Sequence, residues 1–241
     1  MYPKKIKPFA TAIVTALGML IGATSITSAQ NTQCSSTIVD GRTIHGNLIV
    51  PLNATCELDN VTVSGNVQVA MGAVLQAFPV AGQKVAINGN VAADECFDVE
   101  LETSGGTISV AGNFTARNCN GAGYSGHCLT SGSGLCLTIG GNVVFTGTGA
   151  GTVAAEGVVQ GNLTVDNNNT KDLPVPPVVA GNQVSGNVEV SGNAAPVQNP
   201  TLVKDNTIGG NLQCVGNSPP PDDGGAPNTV SGHKLGQCAG L

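Results

Sequence analysis

The amino-acid sequence predicts an all-β fold: a right-handed parallel β-helix, or β-solenoid, of about eight coils that is capped by disulfide bonds. Three observations lead to this prediction. A seven-residue motif recurs eight times, apolar residues alternate within each copy, and pairs of cysteines are separated by about one repeat. Repetition at such an interval is typical of chains whose coils stack on one another.

The motif reads [Ile/Val]-x-Gly-Asn-[Leu/Val/Phe]-x-[Val/Ala/Phe/Cys], and successive copies begin 19 to 29 residues apart. Apolar residues at positions one, five and seven have the period of a β-strand, so each copy is expected to form two short strands that meet at a Gly-Asn corner. A second corner at 191–195, "SGNAA", predicts a coil with several straight sides. A two-sheet sandwich is the alternative, but its hairpin turns would lack one recurring corner. The copies begin at Ile44, Val63, Ile87, Val110, Ile139, Val159, Val184 and Ile208.

The Gly-Asn pair has a structural interpretation. Glycine at position three allows a bend or a close approach of two backbones where a side chain would clash. Asparagine at position four tolerates a positive φ, and asparagines that stack along the axis can hydrogen-bond to one another. The predicted structural asparagines are Asn47, Asn66, Asn90, Asn113, Asn142, Asn162, Asn187 and Asn211.

The N-terminal segment has the pattern of a signal peptide: Lys4, Lys5 and Lys7, then an apolar run, then small residues that end at Ala29. We therefore predict a signal peptide at 1–29 and a single parallel β-helix domain at 30–241 with a C-terminal disulfide cap loop at 206–241. The alternative is a retained membrane anchor, for which the apolar run is short. The expected location is extracellular or at the cell surface, with the periplasm open, and without membrane insertion after the leader is removed.

Composition narrows the classes of partner. The leader holds three of the nine basic residues and none of the fifteen acidic residues, so its removal changes the formal charge from −6 to −9. An acidic surface repels phosphate groups, and nucleic acid is therefore not an expected partner. Aromatic residues make up 3% of the chain, so Val, Ile, Leu and Ala must fill the core.

Export makes disulfide bonds the expected state of the cysteines. Residues one coil apart in sequence should lie about one coil apart in space, within the reach of a disulfide. The Gly/Ser-rich segment 119–136 is expected to leave the coil as an excursion. A zinc site formed by Cys119, His127, Cys128 and Cys136 is the alternative there, although the spacing matches no familiar zinc ribbon. The predicted pairs are Cys34–Cys56, Cys96–Cys119, Cys128–Cys136 and Cys214–Cys238.

An acidic run, "DECFDVELE", occupies 94–102. Alternation places Phe97, Val99 and Leu101 inward, and it places Asp98, Glu100 and Glu102 outward on one face. No cofactor is predicted, but these three carboxylates are the candidates for a calcium site. They could instead act as paired acids in glycoside chemistry, or form a solvated acidic face. No catalytic residue is predicted.

The C-terminal segment contains "IGGNLQCVGN", a Pro-rich spacer, "PNTVSG" and "GQC". This ending resembles the cap of a group of secreted bacterial β-helix repeat proteins of uncharacterised function, in which IGGNLxC and GQC recur. The upstream Gly-Asn copies are more loosely similar to polymer-forming, bactofilin-like repeats. Bactofilins lack a leader and these cysteine pairs, so the resemblance does not imply cytoskeletal polymerisation, and it implies no catalytic residues.

We expect a non-catalytic structural or adhesive protein at the cell surface or in the extracellular space. The protein is expected to self-associate into filaments or to bind a cell-surface polysaccharide. The alternative is a carbohydrate-active β-helix enzyme or a calcium-dependent polysaccharide-binding module. A groove lined by two facing carboxylates, or by Arg42 and Arg117, would favour the enzyme. An uncapped terminal coil with free ladder groups would favour a filament.

Overall fold

The computed structural model describes residues 30–38, 41–126 and 136–241. Within these ranges the regular elements are all β-strands, and they contain no helix. The first strands are β1 (Asn31–Gln33), β2 (Thr37–Ile38), β3 (Thr43–Ile44), β4 (Asn47–Val50), β5 (Thr55–Leu58), β6 (Val61–Val63), β7 (Val67–Val69), β8 (Val74–Ala77) and β9 (Lys84–Ile87).

The strands that follow are joined by turns and loops, and no helix lies between them in the described chain. The central strands are β10 (Val91–Asp94), β11 (Asp98–Glu102), β12 (Thr107–Val110), β13 (Phe114–Arg117), β14 (Gly121–Ser125), β15 (Leu137–Ile139), β16 (Val143–Thr146), β17 (Ala150–Ala155) and β18 (Gly157–Val159). The last strands are β19 (Leu163–Asp166), β20 (Val178–Ala180), β21 (Gln183–Val184), β22 (Val188–Ser191), β23 (Leu202–Lys204), β24 (Thr207–Ile208), β25 (Leu212–Val215), β26 (Thr229–Val230) and β27 (Lys234–Gly236).

The strands form three sheets, and from β1 to β25 every third strand belongs to the same sheet. The last two strands depart from this order, because β26 extends sheet 3 and β27 extends sheet 1. Sheet 1 has ten strands in the order β1-β4-β7-β10-β13-β16-β19-β22-β25-β27. Sheet 2 has eight strands, β2-β5-β8-β11-β14-β17-β20-β23, and sheet 3 has nine, from β3 through β6, β9, β12, β15, β18, β21 and β24 to β26. Neighbouring strands are parallel, as in the pairs β4–β7 and β10–β13. The predicted parallel β-helix is confirmed, and its coil has three sides.

The motif lies at the corner between sheet 3 and sheet 1. Its first residue ends a strand of sheet 3, and its fifth to seventh residues belong to the next strand of sheet 1, as Val159 and Leu163 illustrate. Position five is fully buried in all eight copies and forms one apolar column along the axis. That column contains Leu48, Val67, Val91, Phe114, Val143, Leu163, Val188 and Leu212.

The predicted asparagine ladder runs along this corner, and we call it the corner ladder. From Asn66 to Asn211, each backbone N–H donates to Oδ1 of the motif asparagine in the preceding coil, with N···O distances of 2.8–2.9 Å. At the first end Asn47 Nδ2 donates to Asn31 Oδ1, and at the last end the His233 N–H donates to Asn211 Oδ1. The ladder therefore extends one coil beyond the eight motif copies at each end.

The explanation of the motif asparagine by positive φ is wrong. The non-glycine residues with positive φ lie elsewhere in the coil, at Asn53, Asn60, Glu95, Asn118, Glu156, Asn167 and Asp205. The motif asparagines keep an ordinary φ because their own N–H groups point along the axis to the preceding coil. The motif glycine is explained by close approach: a Cβ at Gly161 would lie 2.5 Å from Asn142 Oδ1 and 2.7 Å from the Gly141 carbonyl oxygen.

Two further ladders, which the seven-residue motif does not predict, lie inside the C-terminal half of the described chain. The first inner ladder joins sheet 1 to sheet 2 and contains Thr148, Asn168, Asn193, Asn217 and Gln237. The second inner ladder joins sheet 2 to sheet 3 and contains Asn182, Asn206 and Asn228. In both, an N–H donates to the amide oxygen of the following coil, so their amide dipoles oppose those of the corner ladder.

Three aromatic rings pack against one another in the core. Phe114 and Phe145 meet edge to face with centroids 5.1 Å apart, and Tyr124 lies 6.1 Å from Phe145. The Tyr124 hydroxyl donates to Asn182 Oδ1 at 2.9 Å, which links the aromatic cluster to the second inner ladder. Burial raises the pKa of Tyr124 far above its usual range. Gly157 leaves space for this ring, because a Cβ there would lie 2.6 Å from it.

Disulfide bonds join adjacent coils near both ends and in the middle. Cys34–Cys56, Cys96–Cys119 and Cys214–Cys238 are present, with Cα–Cα distances of 5.4, 4.4 and 5.1 Å. These are three of the predicted pairs. The fourth, Cys128–Cys136, includes Cys128, which lies outside the described residues, as do His127 of the alternative zinc site and the predicted signal peptide.

The C-terminal residues cover the last coil. Cys238 is fully buried, and Leu241 packs partly buried against the core. Gln237 ends the first inner ladder by accepting from the Asn217 N–H and donating to the Asn217 carbonyl. Lys234 Nζ donates to the Leu241 carbonyl oxygen. The C-terminal end of the hydrophobic core is thus closed by the chain itself.

Candidate functional site

The most distinctive surface feature is a groove of about 320 Å³ on the outer face of sheet 2, which we call the sheet 2 groove. It combines charged, polar, aromatic and aliphatic groups from three coils and a loop. Its lining consists of Phe97, Asp98, Glu100, Asn120, Gly121, Gly151, Leu173, Pro174 and Val175.

The floor of the groove results from missing side chains. Strand β14 places Ala122 and Tyr124 in the core, so Gly121 and Gly123 occupy the outward positions beside Asp98 and Glu100 of β11. The expectation that 119–136 leaves the coil is therefore wrong for 121–125, which forms a regular strand of sheet 2. Alternation with Ala122 and Tyr124 was the signal for this strand, and the high glycine content obscured it.

Phe97 forms one edge of the groove. Alternation predicted that it points inward, and this is wrong, because its side chain is 58% exposed. Phe97 precedes β11, and the inward position in this turn is taken by Cys96, which is buried and bonded to Cys119. Because the turn interrupts the alternation, the inward phase of Val99 and Leu101 does not extend back to Phe97.

Two carboxylates line the groove. Asp98 and Glu100 point outward as predicted, and each is partly shielded from solvent. Burial raises the pKa of Asp98, and the backbone hydrogen bond from Val99 offsets part of this effect. Burial also raises the pKa of Glu100, and the negative charges of Asp98 and Glu102 raise it further. The groove therefore concentrates negative charge in a partly desolvated place.

The calcium candidates do not assemble into a metal centre in the structure. Glu102 is exposed at the end of β11 and does not line the groove. In the described ranges, no group of three or more His, Cys, Asp or Glu side chains is placed to hold a metal ion. Calcium favours six to eight oxygen ligands, whereas the groove lining offers the two carboxylates and the Asn120 amide.

A second, wider groove of about 640 Å³ lies on the outer face of sheet 1. Its lining includes Ala92, whose small side chain lies between Gln68 and Thr115 on the neighbouring strands. Asp94 and Arg117 are register partners on β10 and β13 at one side of this groove, so opposite charges are adjacent there. The small residue at an outward position was the one sequence feature that pointed to this depression.

Facing carboxylates, or a groove lined by Arg42 and Arg117, would favour an enzyme, and the structure gives the positions of these residues. Asp98 and Glu100 are neighbours on the same strand, on one side of the sheet 2 groove, and do not face each other across it. Arg117 ends β13 in sheet 1, whereas Arg42 precedes β3 in sheet 3, so the two arginines lie on different faces.

These features define the class of the protein as a three-sided parallel β-helix with disulfide bonds between adjacent coils. The described residues contain no helix with the length and apolar character that a membrane span requires. Comparison of the chain with protein-family models, curated proteins and solved structures gives no significant match.

Proposed function

We propose that the protein is an exported, non-catalytic β-solenoid with a structural or adhesive role at the cell surface or in the extracellular space. The observation that supports this proposal is the cross-linking of successive coils by side-chain ladders and by three disulfide bonds. Disulfides persist in oxidising compartments, so their number is compatible with export.

A rigid rod is the physical consequence of this cross-linking. In a solenoid each coil contacts only its neighbours, so stiffness depends on the bonds between consecutive coils. Here those bonds come from three parallel sheets and from the ladders at their corners. The ten strands of sheet 1, stacked at the usual strand spacing, give an axial length of about 43 Å. Such a rod can hold a surface away from the point of attachment.

The closed C-terminal end favours an adhesive or spacer role over a filament that grows by strand pairing at that end. Residues 234–236 add strand β27 to the end of sheet 1, and residues 237–241 follow it as a turn that Cys238 joins to β25 through its bond with Cys214. Closed ends prevent the edge-to-edge pairing that exposed strands invite. Interactions are therefore expected on the lateral faces of the rod.

Expression of the full chain in a bacterial host, followed by fractionation, tests this proposal. We expect a product cleaved after Ala29, recovered outside the cytoplasm, with its cysteines resistant to alkylation until a reductant is added. Added protease and a membrane-impermeant label should reach it on intact cells or in the medium. An uncleaved product with reduced cysteines in the cytoplasm would contradict the proposal.

A further inference from the structure

We propose that the sheet 2 groove binds an arginine side chain of a partner protein. This inference goes beyond a structural role, because it assigns a ligand chemistry to one lateral face. It rests on the charge, the aromatic edge, the glycine floor and the aliphatic wall of the groove.

The charge of the groove calls for a cation. Asp98 and Glu100 are the two ionisable side chains in its lining, and both are acidic. Their register partners on β8 are Val74 and Gln76, and those on β14 are Gly121 and Gly123, so neither neighbouring strand supplies a compensating charge.

The surrounding charged groups do not alter this conclusion. Glu102 follows on the same strand, and Glu57 lies two coils away in the outward column of Glu100. Lys171 and Asp172 precede Leu173 in the loop, but neither lines the groove. A bound cation would therefore reduce a repulsion between carboxylates that the protein itself leaves uncompensated.

The aromatic edge favours a planar cation. Phe97 is 58% exposed and borders the same groove as the carboxylates. A guanidinium group can stack on an aromatic face while its N–H groups bind a carboxylate in a two-pronged geometry. An ammonium group is more strongly hydrated and lacks this planar fork, so arginine fits the groove better than lysine.

The floor and the loop accommodate the rest of such a side chain. Gly121 and Gly151 leave the backbone of sheet 2 accessible, and Asn120 offers an amide beside the floor. Leu173, Pro174 and Val175 form an aliphatic wall, and Val175 is 44% exposed. The methylene stem of an arginine can pack on this wall while its charged end reaches the carboxylates.

Calorimetric titration of the full-length exported protein with short blocked peptides tests the proposal. The probe is a Gly/Ser peptide with one central arginine, and the matched peptides carry citrulline or lysine at that position. We expect the arginine peptide to bind about ten times more tightly than the citrulline peptide, with lysine intermediate. Equal affinity for arginine and citrulline would overturn the proposal, as would no detectable binding of the arginine peptide.

Two variants and a control locate the site. Glu100→Gln is expected to weaken arginine binding about tenfold, and Phe97→Ala about fivefold. Glu189→Gln, an exposed carboxylate on sheet 1, removes the same charge from a different face and should leave the affinity unchanged. If all three variants weaken binding equally, the attraction is general to an acidic protein, and the groove is not the site.

The pH dependence provides an independent readout. Because the pKa values of Asp98 and Glu100 are raised, their charge is lost at a higher pH than that of ordinary carboxyl groups. Arginine binding should therefore decline as the pH falls through these raised values, before solvent-exposed carboxylates titrate.

Chitin oligomers and calcium chloride serve as competing probes, and we expect that neither displaces the arginine peptide. A groove that binds either probe but not the arginine peptide contradicts the proposal.

Discussion

Replacing Asn193 by alanine is expected to lower the free energy of unfolding by about 4 kcal/mol. Asn193 is 1% exposed, and its Oδ1 accepts both the N–H and the Nδ2 group of Asn168. Its Nδ2 donates to the Val165 carbonyl at 2.9 Å. The alanine variant leaves the two Asn168 donors buried without this acceptor, and each unsatisfied buried group costs about 1–3 kcal/mol. Guanidinium chloride unfolding measures the change.

Asn162→Ala is the matched control for this prediction. Asn162 belongs to the corner ladder and also accepts two hydrogen bonds from the next asparagine, Asn187, but it is exposed. Water can replace the lost acceptor there, so we expect a loss of about 1 kcal/mol. Similar losses in the two variants would show that burial of the inner ladder does not matter for stability.

Replacing Gly161 by alanine should lower the free energy of unfolding by about 3 kcal/mol, because the new methyl group has no space. Its Cβ would lie 2.5 Å from Asn142 Oδ1 and 2.7 Å from the Gly141 carbonyl oxygen. The second of these is a backbone atom, so relief requires that adjacent coils move apart at the corner. Such a shift weakens the hydrogen bonds on both sides of the clash.

Gly240→Ala is the control for this substitution. No heavy atom lies within 4 Å of a Cβ built there, and Gly240 has no positive φ. We expect its free energy of unfolding to remain within about 0.5 kcal/mol of the parent protein. If Gly161→Ala were equally well tolerated, close contact between coils could not explain why glycine recurs at position three.

The sequence allowed the fold to be predicted because its periodic signals all concern the same contacts. Alternation within each motif copy identified buried positions such as Leu163 and Val165, and the interval between copies identified the length of a coil. The cysteine spacing pointed to the same interval independently. These features agree because one repeated geometry determines burial, close approach and disulfide reach together.

The inner ladders escaped prediction because they lie outside the seven-residue motif. In the second inner ladder, Asn182 and Asn206 come two residues before position one, and Asn228 comes two residues before Val230, the register partner of position one at Ile208. In the first, Asn168, Asn193 and Asn217 come three residues after position seven. Both offsets recur in the last three coils, so the sequence does contain a signal for the inner ladders. Asn and Gly are typical of exposed turns, however, and this obscured the inward orientation of these asparagines.

The sheet 2 groove was only partly predictable. Alternation placed Asp98 and Glu100 on the outer face, but it failed at Phe97, where the preceding turn changes the phase. The contribution of Leu173 and Val175 could not be read from the sequence, because their loop reaches the groove from a later coil. Alternation within a strand specifies which of its residues point outward. Whether a loop from a later coil reaches the same surface depends on the path of that loop, which alternation does not specify.

Mass-spectrometric mapping of the disulfide bonds in the exported protein tests the stacking of adjacent coils most directly. We predict that non-reducing digestion recovers peptides that join Cys34 to Cys56, Cys96 to Cys119 and Cys214 to Cys238, each pair 22 to 24 residues apart. Recovery of a bond between distant coils, such as Cys34 with Cys214, would contradict the in-register β-helix.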